Sequence, residues 1–475
     1  MMKNDPVLKR RIDQWFESHT DELLSDLCDL VAIRSTAGKP KEGMPYGEGP
    51  AEALACAAEM LSSHGFASES FENRVLTADL NGKTARLGII AHLDVVEAGD
   101  GWATDPFELS ISEHGDMLYG RGVSDDKGPA VAAMYAMYAA RELAPELAAG
   151  CRLILGSAEE TGMDDLARYG KANFYPPFVF SPDADYPVIN TEKGHFQPSF
   201  RASWGESAAL PRIVSITGGT VPNIVPRAAS AVLEGIDLPA VQDACRRISD
   251  ETGVTLTAAQ TQDGRITVNA RGEAAHASAP EKGKNAQSAL INALVSLPFA
   301  ECEGLSRLRA LNGLVPFGDH SGKALGIEMS DDISGALTVN FGVFSYDLEG
   351  MRGALDIRTP LCADGTDLDK TVAGLFSAAG LYPDVSSREP GHHTPGDSRL
   401  VTTLLDVYED YTGKKGECLA VGGLTYVHDI PGGVAFGCTM PGDECNIHAA
   451  NECMSLSCLV LSAKMFTRAI IELCS

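Results

Sequence analysis

The chain is short of basic residues, has no long uninterrupted apolar run, and lacks both a tight cysteine framework and an internal repeat. Its 475 residues carry 38 Lys and Arg against 65 Asp and Glu, a formal charge of −27. Nucleic acids and anionic membrane surfaces would repel such a chain, so neither is expected as a partner. The opening residues, Met1-Met2-Lys3-Asn4-Asp5, lack the apolar region of a secretion signal, and the apolar stretch near the end is broken by Lys464 and Arg468. No signal peptide or membrane span is expected. The 12 cysteines are scattered without short pairing. They read as reduced thiols in a cytoplasmic protein. The missing period excludes a solenoid. What remains is an ordinary globular composition, 44% hydrophobic, with length for roughly three domain-sized units.

What the chain does have is an ordered set of metal-type ligands, each after a strand-like run. Leu87-Gly88-Ile89-Ile90-Ala91 reads as a buried strand with His92 at its carboxyl end, where open parallel sheets bind ligands. Asp94, two residues on, would point the same way as His92 and could accept the proton of its free ring nitrogen. Asp125 follows Tyr119-Gly120-Arg121-Gly122 and precedes an alanine-rich helix running to Ala140. Glu159 and Glu160 leave the strand-like Arg152 to Ser157 in different directions, so one can bind metal while the other handles protons. Asp183 follows Phe178-Val179-Phe180, and His448 closes the set. Two imidazoles and several carboxylates brought together can hold a pair of divalent ions, and such pairs hydrolyse amides, esters or phosphates.

The sequence resembles the M20 family of metallopeptidases and, within it, the PepV-like bacterial dipeptidases, over nearly its whole length. The resemblance rests on His92-Leu93-Asp94-Val95-Val96, Gly120 to Pro129, Glu159-Glu160-Thr161-Gly162, Pro182-Asp183-Ala184, Asn190-Thr191-Glu192-Lys193-Gly194, and Phe436-Gly437 through Pro441-Gly442. It implies that Asp125 bridges two ions, that His92 and Asp183 complete one site, that Glu160 and His448 complete the other, and that Glu159 is the general base. Two divalent ions with one hydroxide would neutralise the three carboxylates, whereas one ion would leave excess negative charge. Zinc is expected first, with manganese or cobalt as alternatives. Cys445, three residues before His448, could also place a thiolate near metal, but it reads better as a packed thiol because the implied ligand set is already full.

The same resemblance sets the architecture and the substrate. An α/β catalytic domain, a mixed sheet covered by helices, is expected over 1–195 and 385–475, with an inserted α+β lid over 196–384. Helices are expected through Leu30, up to Gly65, over Ala240 to Ser249 and over Asn285 to Leu297, and lid strands over Arg265 to Ala270 and Gly353 to Arg358. In the lid, His276 would reach the reacting carbonyl oxygen, and Asn223 and Arg358 would hold substrate, the guanidinium fork suiting a terminal carboxylate. These features imply a dipeptidase acting on small peptides as a monomer, since one chain supplies its own His276. The alternatives are an N-acyl amino acid deacylase with the same chemistry, or a catalytically silent metal- or peptide-binding protein. One motif departs from the family. Where a triple glycine followed by Thr-Tyr-Ala-Arg is usual, this chain reads Gly422-Gly423-Leu424-Thr425-Tyr426-Val427-His428. Leu424 would be strained at a positive φ, and His428 titrates near neutrality, so specificity is expected to shift.

Overall fold

The computed structural model describes residues 5–384 and 388–475. It divides into two compact units: one of residues up to Thr191 with His393–Leu419 and Leu424–Ser475, the other of Glu192–His392 with Ala420–Gly423. The sequence-based boundary at residue 385 lies outside the described residues.

The first unit is built on a mixed sheet in which Gly150–Gly156, Ala85–His92, Phe178–Ser181 and Gly433–Ala435 run side by side in parallel. Val75–Asp79 and then Ser68–Phe71 extend it antiparallel at one edge. The central strands are almost wholly buried because helices cover the sheet. The first helix, Pro6–Val31, is capped by the Asp5 carboxylate, which accepts from Val7 N and Leu8 N, and it buries Ile12, Phe16, Leu23, Leu27 and Leu30. That spacing is one apolar face of a 3.6-residue helix. The second helix is Glu48–Ser63. The helix Lys127–Leu143 is buried along its whole length to Ala140, and its small side chains let it lie between the sheet and the carboxyl-terminal helix Leu456–Cys474. At its first turn, a Cβ on Gly128 would stand 2.1 Å from Val123 O, so only glycine permits that approach. Among the described residues, no helix is long and apolar enough to cross a membrane.

The second unit carries a nine-stranded antiparallel sheet, ordered Thr255–Gln260, Ile266–Arg271, Ala228–Glu234, Arg212–Gly218, Thr338–Tyr346, Gly350–Thr359, Ser199–Ser203 and Tyr382–Asp384, with Gly194–Phe196 also on Gly350–Thr359. Its strands alternate buried and more open residues. The buried face packs on the helices Leu238–Thr252, Ala286–Val295, Glu303–Leu314 and Leu368–Ala378. One face on helices and one more open is the usual state of an antiparallel sheet. Together the units give the expected mixed sheet covered by helices and the expected α+β second body.

Candidate metal centre

His92 ends its strand, Gly156 is its neighbour in register, and Ser181 ends the next strand, so Glu159, Glu160 and Asp183 all emerge at the carboxyl edge of the parallel sheet. Asp125 reaches the same place from the loop before the Lys127–Leu143 helix. One carboxylate faces both imidazoles. Asp125 Oδ1 lies 2.9 Å from His92 Nε2, and Asp125 Oδ2 lies 2.9 Å from His448 Nε2. His92 Nε2 is also 3.5 Å from Asp183 Oδ2, and His448 Nε2 is 3.0 Å from Glu160 Oε1. His92, Asp125 and Asp183 thus offer one converging set of ligand atoms, and Asp125, Glu160 and His448 another.

The fit to a cation is visible in His92. Its ring is fully buried, and Nδ1 lies 2.9 Å from the Asp94 carbonyl, which accepts and so fixes the proton on Nδ1. Nε2 is buried without a hydrogen-bond partner despite its nearness to Asp125. A buried ring nitrogen among converging carboxylate oxygens is the environment a divalent ion satisfies, taking the place of any proton there. Asp94 therefore meets His92 mainly through its backbone, its carboxylate lying 3.5 Å from Nδ1. That carboxylate accepts instead from Glu159 N at 3.2 Å and Glu160 N at 3.1 Å, pinning the turn that presents both glutamates.

The charges are strongly perturbed. Burial would lower His92, but Asp125, Asp183 and Asp94 raise it well above the usual imidazole value. Asp125 and Glu160 push His448 up to about 10. Burial raises Glu159, Glu160 and Asp183, while for Asp125 the two imidazoles outweigh burial and hold it below the usual carboxylate range. An incoming ion must displace protons from the raised imidazoles and raised carboxylates alike, and both effects make binding tighter as pH rises. Titrating metal-free protein with Zn²⁺ at about pH 6 and about pH 8 should show higher affinity at the higher pH, with proton release seen as a heat that depends on buffer ionisation. Equal affinity and no proton release would mean these groups do not take the ion.

Several participants were not legible as such. Asp126, fully buried, accepts from His92 N at 3.0 Å. Lys127 Nζ donates to Leu30 O at 3.0 Å and Ile33 O at 2.6 Å, tying the first helix to the Asp125 loop, and burial pushes its amine down to about 7. Within the departing motif, neither Gly422, Gly423 nor Leu424 has a positive φ, so Leu424 meets no strain of that kind. Tyr426, also in that motif, is buried and donates to Asp165 Oδ2 at 2.6 Å, and Asp165 accepts from Ser157 N and Ala158 N just ahead of Glu159. Cys445 belongs to neither ligand set, its Sγ lying 3.9 Å from Thr439 Oγ1.

The second unit holds the other expected residues. His276 Nδ1 accepts from Ser278 N at 3.2 Å, which puts the proton of the neutral ring on Nε2. Asn223 O accepts from Ala277 N at 2.9 Å, joining the two loops. Arg358 is buried, with Nε and Nη2 on the Asp356 carboxylate at 2.6 Å and 3.0 Å and Nη1 on Gly422 O at 2.8 Å. Three of its five N–H groups are therefore engaged, and two remain.

Comparison with known proteins identifies the family and the fold. Residues 88–472 match the model of peptidase family M20/M25/M40. A β-Ala-Xaa dipeptidase of Lactobacillus delbrueckii subsp. lactis is 35% identical over 467 residues, covering 96% of this chain and 97% of that protein. Among solved structures, human carnosine dipeptidase 1 superposes with a TM-score of 0.60 at 16% identity, covering 98% of this chain and 99% of that one. The dipeptidase Dug1p of Saccharomyces cerevisiae superposes with a TM-score of 0.59 at 15% identity, covering 98% of each chain. At those identities the two structures speak for the fold.

Proposed function

Because the chain belongs to peptidase family M20/M25/M40, hydrolases acting on peptide bonds, we propose that it is a dipeptidase working with two divalent ions. The observation that carries this reading is Asp125, which turns one oxygen to each of two imidazoles, each with a further carboxylate beside it. His92, Asp125 and Asp183 would hold one ion and Asp125, Glu160 and His448 the other, zinc being assigned ahead of manganese or cobalt. Bound there, such ions lower the pKa of water and polarise a carbonyl.

The rest of the chemistry belongs to side chains. Glu159 stands outside both ligand sets, and burial raises its carboxyl well above the usual value. It removes a proton from the attacking water and delivers it to the leaving amine. His276, with its proton on Nε2, is assigned to the carbonyl oxygen as it gains charge. The two remaining N–H groups of Arg358 are assigned to the terminal carboxylate, and Asn223 to substrate beside it. A requirement for that carboxylate close to the scissile bond restricts the enzyme to very short peptides.

The test is hydrolysis of dipeptides, β-alanyl dipeptides, tripeptides and N-acetyl or N-succinyl amino acids by metal-depleted protein, with Zn²⁺, Mn²⁺ or Co²⁺ added back separately. Metal-dependent cleavage of dipeptides is expected, and His276→Ala should lose turnover at unchanged metal content. Cleavage confined to acyl amino acids would move the protein to the deacylases. Binding of peptide without cleavage by metal-loaded protein would make it a silent binder.

A further inference from the structure

Glu452 has no part in the chemistry above, yet it is fully buried and densely bonded. Its carboxylate accepts from Arg121 Nη1 at 2.6 Å, from Gly122 N at 3.1 Å on both oxygens, from Ser124 N at 2.9 Å and from Asp125 N at 3.1 Å. A buried carboxylate is costly unless its lone pairs are filled in this way. Arg121, itself buried, extends the link: Nη2 donates to Ala449 O at 3.2 Å, the residue after His448, and lies 3.4 Å from both Glu97 O and Ala98 O. The backbones are joined too, with Gly120 N donating to Glu452 O at 3.2 Å and Cys453 pairing with Tyr119.

The segment so tied carries left-handed backbone. His448 has φ +61°, between Asn446 at +50° and Asn451 at +60°. Left-handed backbone costs energy for residues with a side chain, and persists where surrounding contacts impose it. Here the contacts come from within the segment, where Ala449 N donates to Asn446 O at 2.9 Å and Asn446 Nδ2 to Asn451 O at 3.2 Å, from Ala103 N on Asn451 Oδ1 at 2.8 Å, and from the loop that presents Asp125 through Arg121 and Glu452.

We propose that Glu452 and Arg121 form a positioning pair that sets the spacing of Asp125 and His448 and thereby the affinity of the ion site these two complete with Glu160. This rests on the metal-centre reading above. Glu452 holds Asp125 by its amide, leaving both carboxylate oxygens for the imidazoles, while Arg121 carries the same register to the carbonyl beside His448. The pair touches neither substrate nor ion, so its removal should be read in binding before it is read in turnover.

Zinc affinity by chelator competition and zinc content by elemental analysis, on wild type, Glu452→Gln, Arg121→Lys and the double variant, decide the matter. Folded variants with unchanged far-ultraviolet circular dichroism should bind one ion about 10- to 100-fold more weakly, the usual effect of losing a partner behind a ligand, with the second ion less affected. The double variant should be no worse than the weaker single one, because the two residues act as a unit. Wild-type zinc affinity in folded Glu452→Gln, or losses that simply add, would overturn the proposal. If Glu452→Gln does not fold, Arg121→Lys carries the test with the same two outcomes. A wild-type protein that binds no zinc would instead refute the metal centre itself.

Discussion

Replacing Glu159 with glutamine is expected to lower kcat by about 100- to 10,000-fold, the usual contribution of a positioned acid–base group, while both ions stay bound. Glutamine keeps the size and the backbone but cannot take a proton. The turn should survive, because it is held from outside the side chain: Glu159 N and Glu160 N both donate to the Asp94 carboxylate. The ligand sets should survive as well, since Glu159 is in neither. Steady-state kinetics paired with elemental analysis check both halves of this expectation. Normal turnover with two ions bound would remove Glu159 from proton transfer, and a lost ion would make it a ligand.

The other large effect is expected at Asp125. Its two oxygens serve different imidazoles, so Asp125→Ala should cost both ions together, whereas His448→Ala should cost one. The ions are assigned several kcal/mol of transition-state stabilisation, which at about 1.4 kcal/mol per factor of ten corresponds to a loss in kcat/KM of at least about a thousandfold. The loss of Asp125 also rearranges the charges. His92 and His448 would retain no shared counter-charge, while Glu160 and Asp183, both raised by the Asp125 charge, would be relieved of that repulsion. Elemental analysis of Asp125→Ala showing two ions would overturn the shared-ligand assignment.

Sequence patterning reached the strands and helices because burial leaves a mark along the chain. The strand over Ala85–His92 and the helix over Lys127–Leu143 are apolar nearly throughout, and their ends fall where glycine or charge interrupts them. Residues whose role depends on a distant partner left no such mark. Glu452 looks like any glutamate in a polar loop, and nothing near it in sequence announces Arg121, 331 residues away. Asp94 was expected to serve His92 by spacing alone. The fold gives its carboxylate to two amides 65 and 66 residues on, and leaves His92 the carbonyl. Leu424 was read against a glycine pattern, yet the backbone there never takes the angles that would have made glycine necessary. Periodicity reports the environment of a segment, and long-range hydrogen bonding has no period.

The pairing of Glu160 with His448, 288 residues apart, also orders events in time. A ribosome adds 288 residues after Glu160 before His448 appears, and the helix Leu456–Cys474 comes later still. Every nascent form that stops short of His448 lacks a ligand proposed for the second ion. Under the proposed ligand assignment, hydrolytic capacity is withheld until His448 has been made, and a product ending before it would be inert.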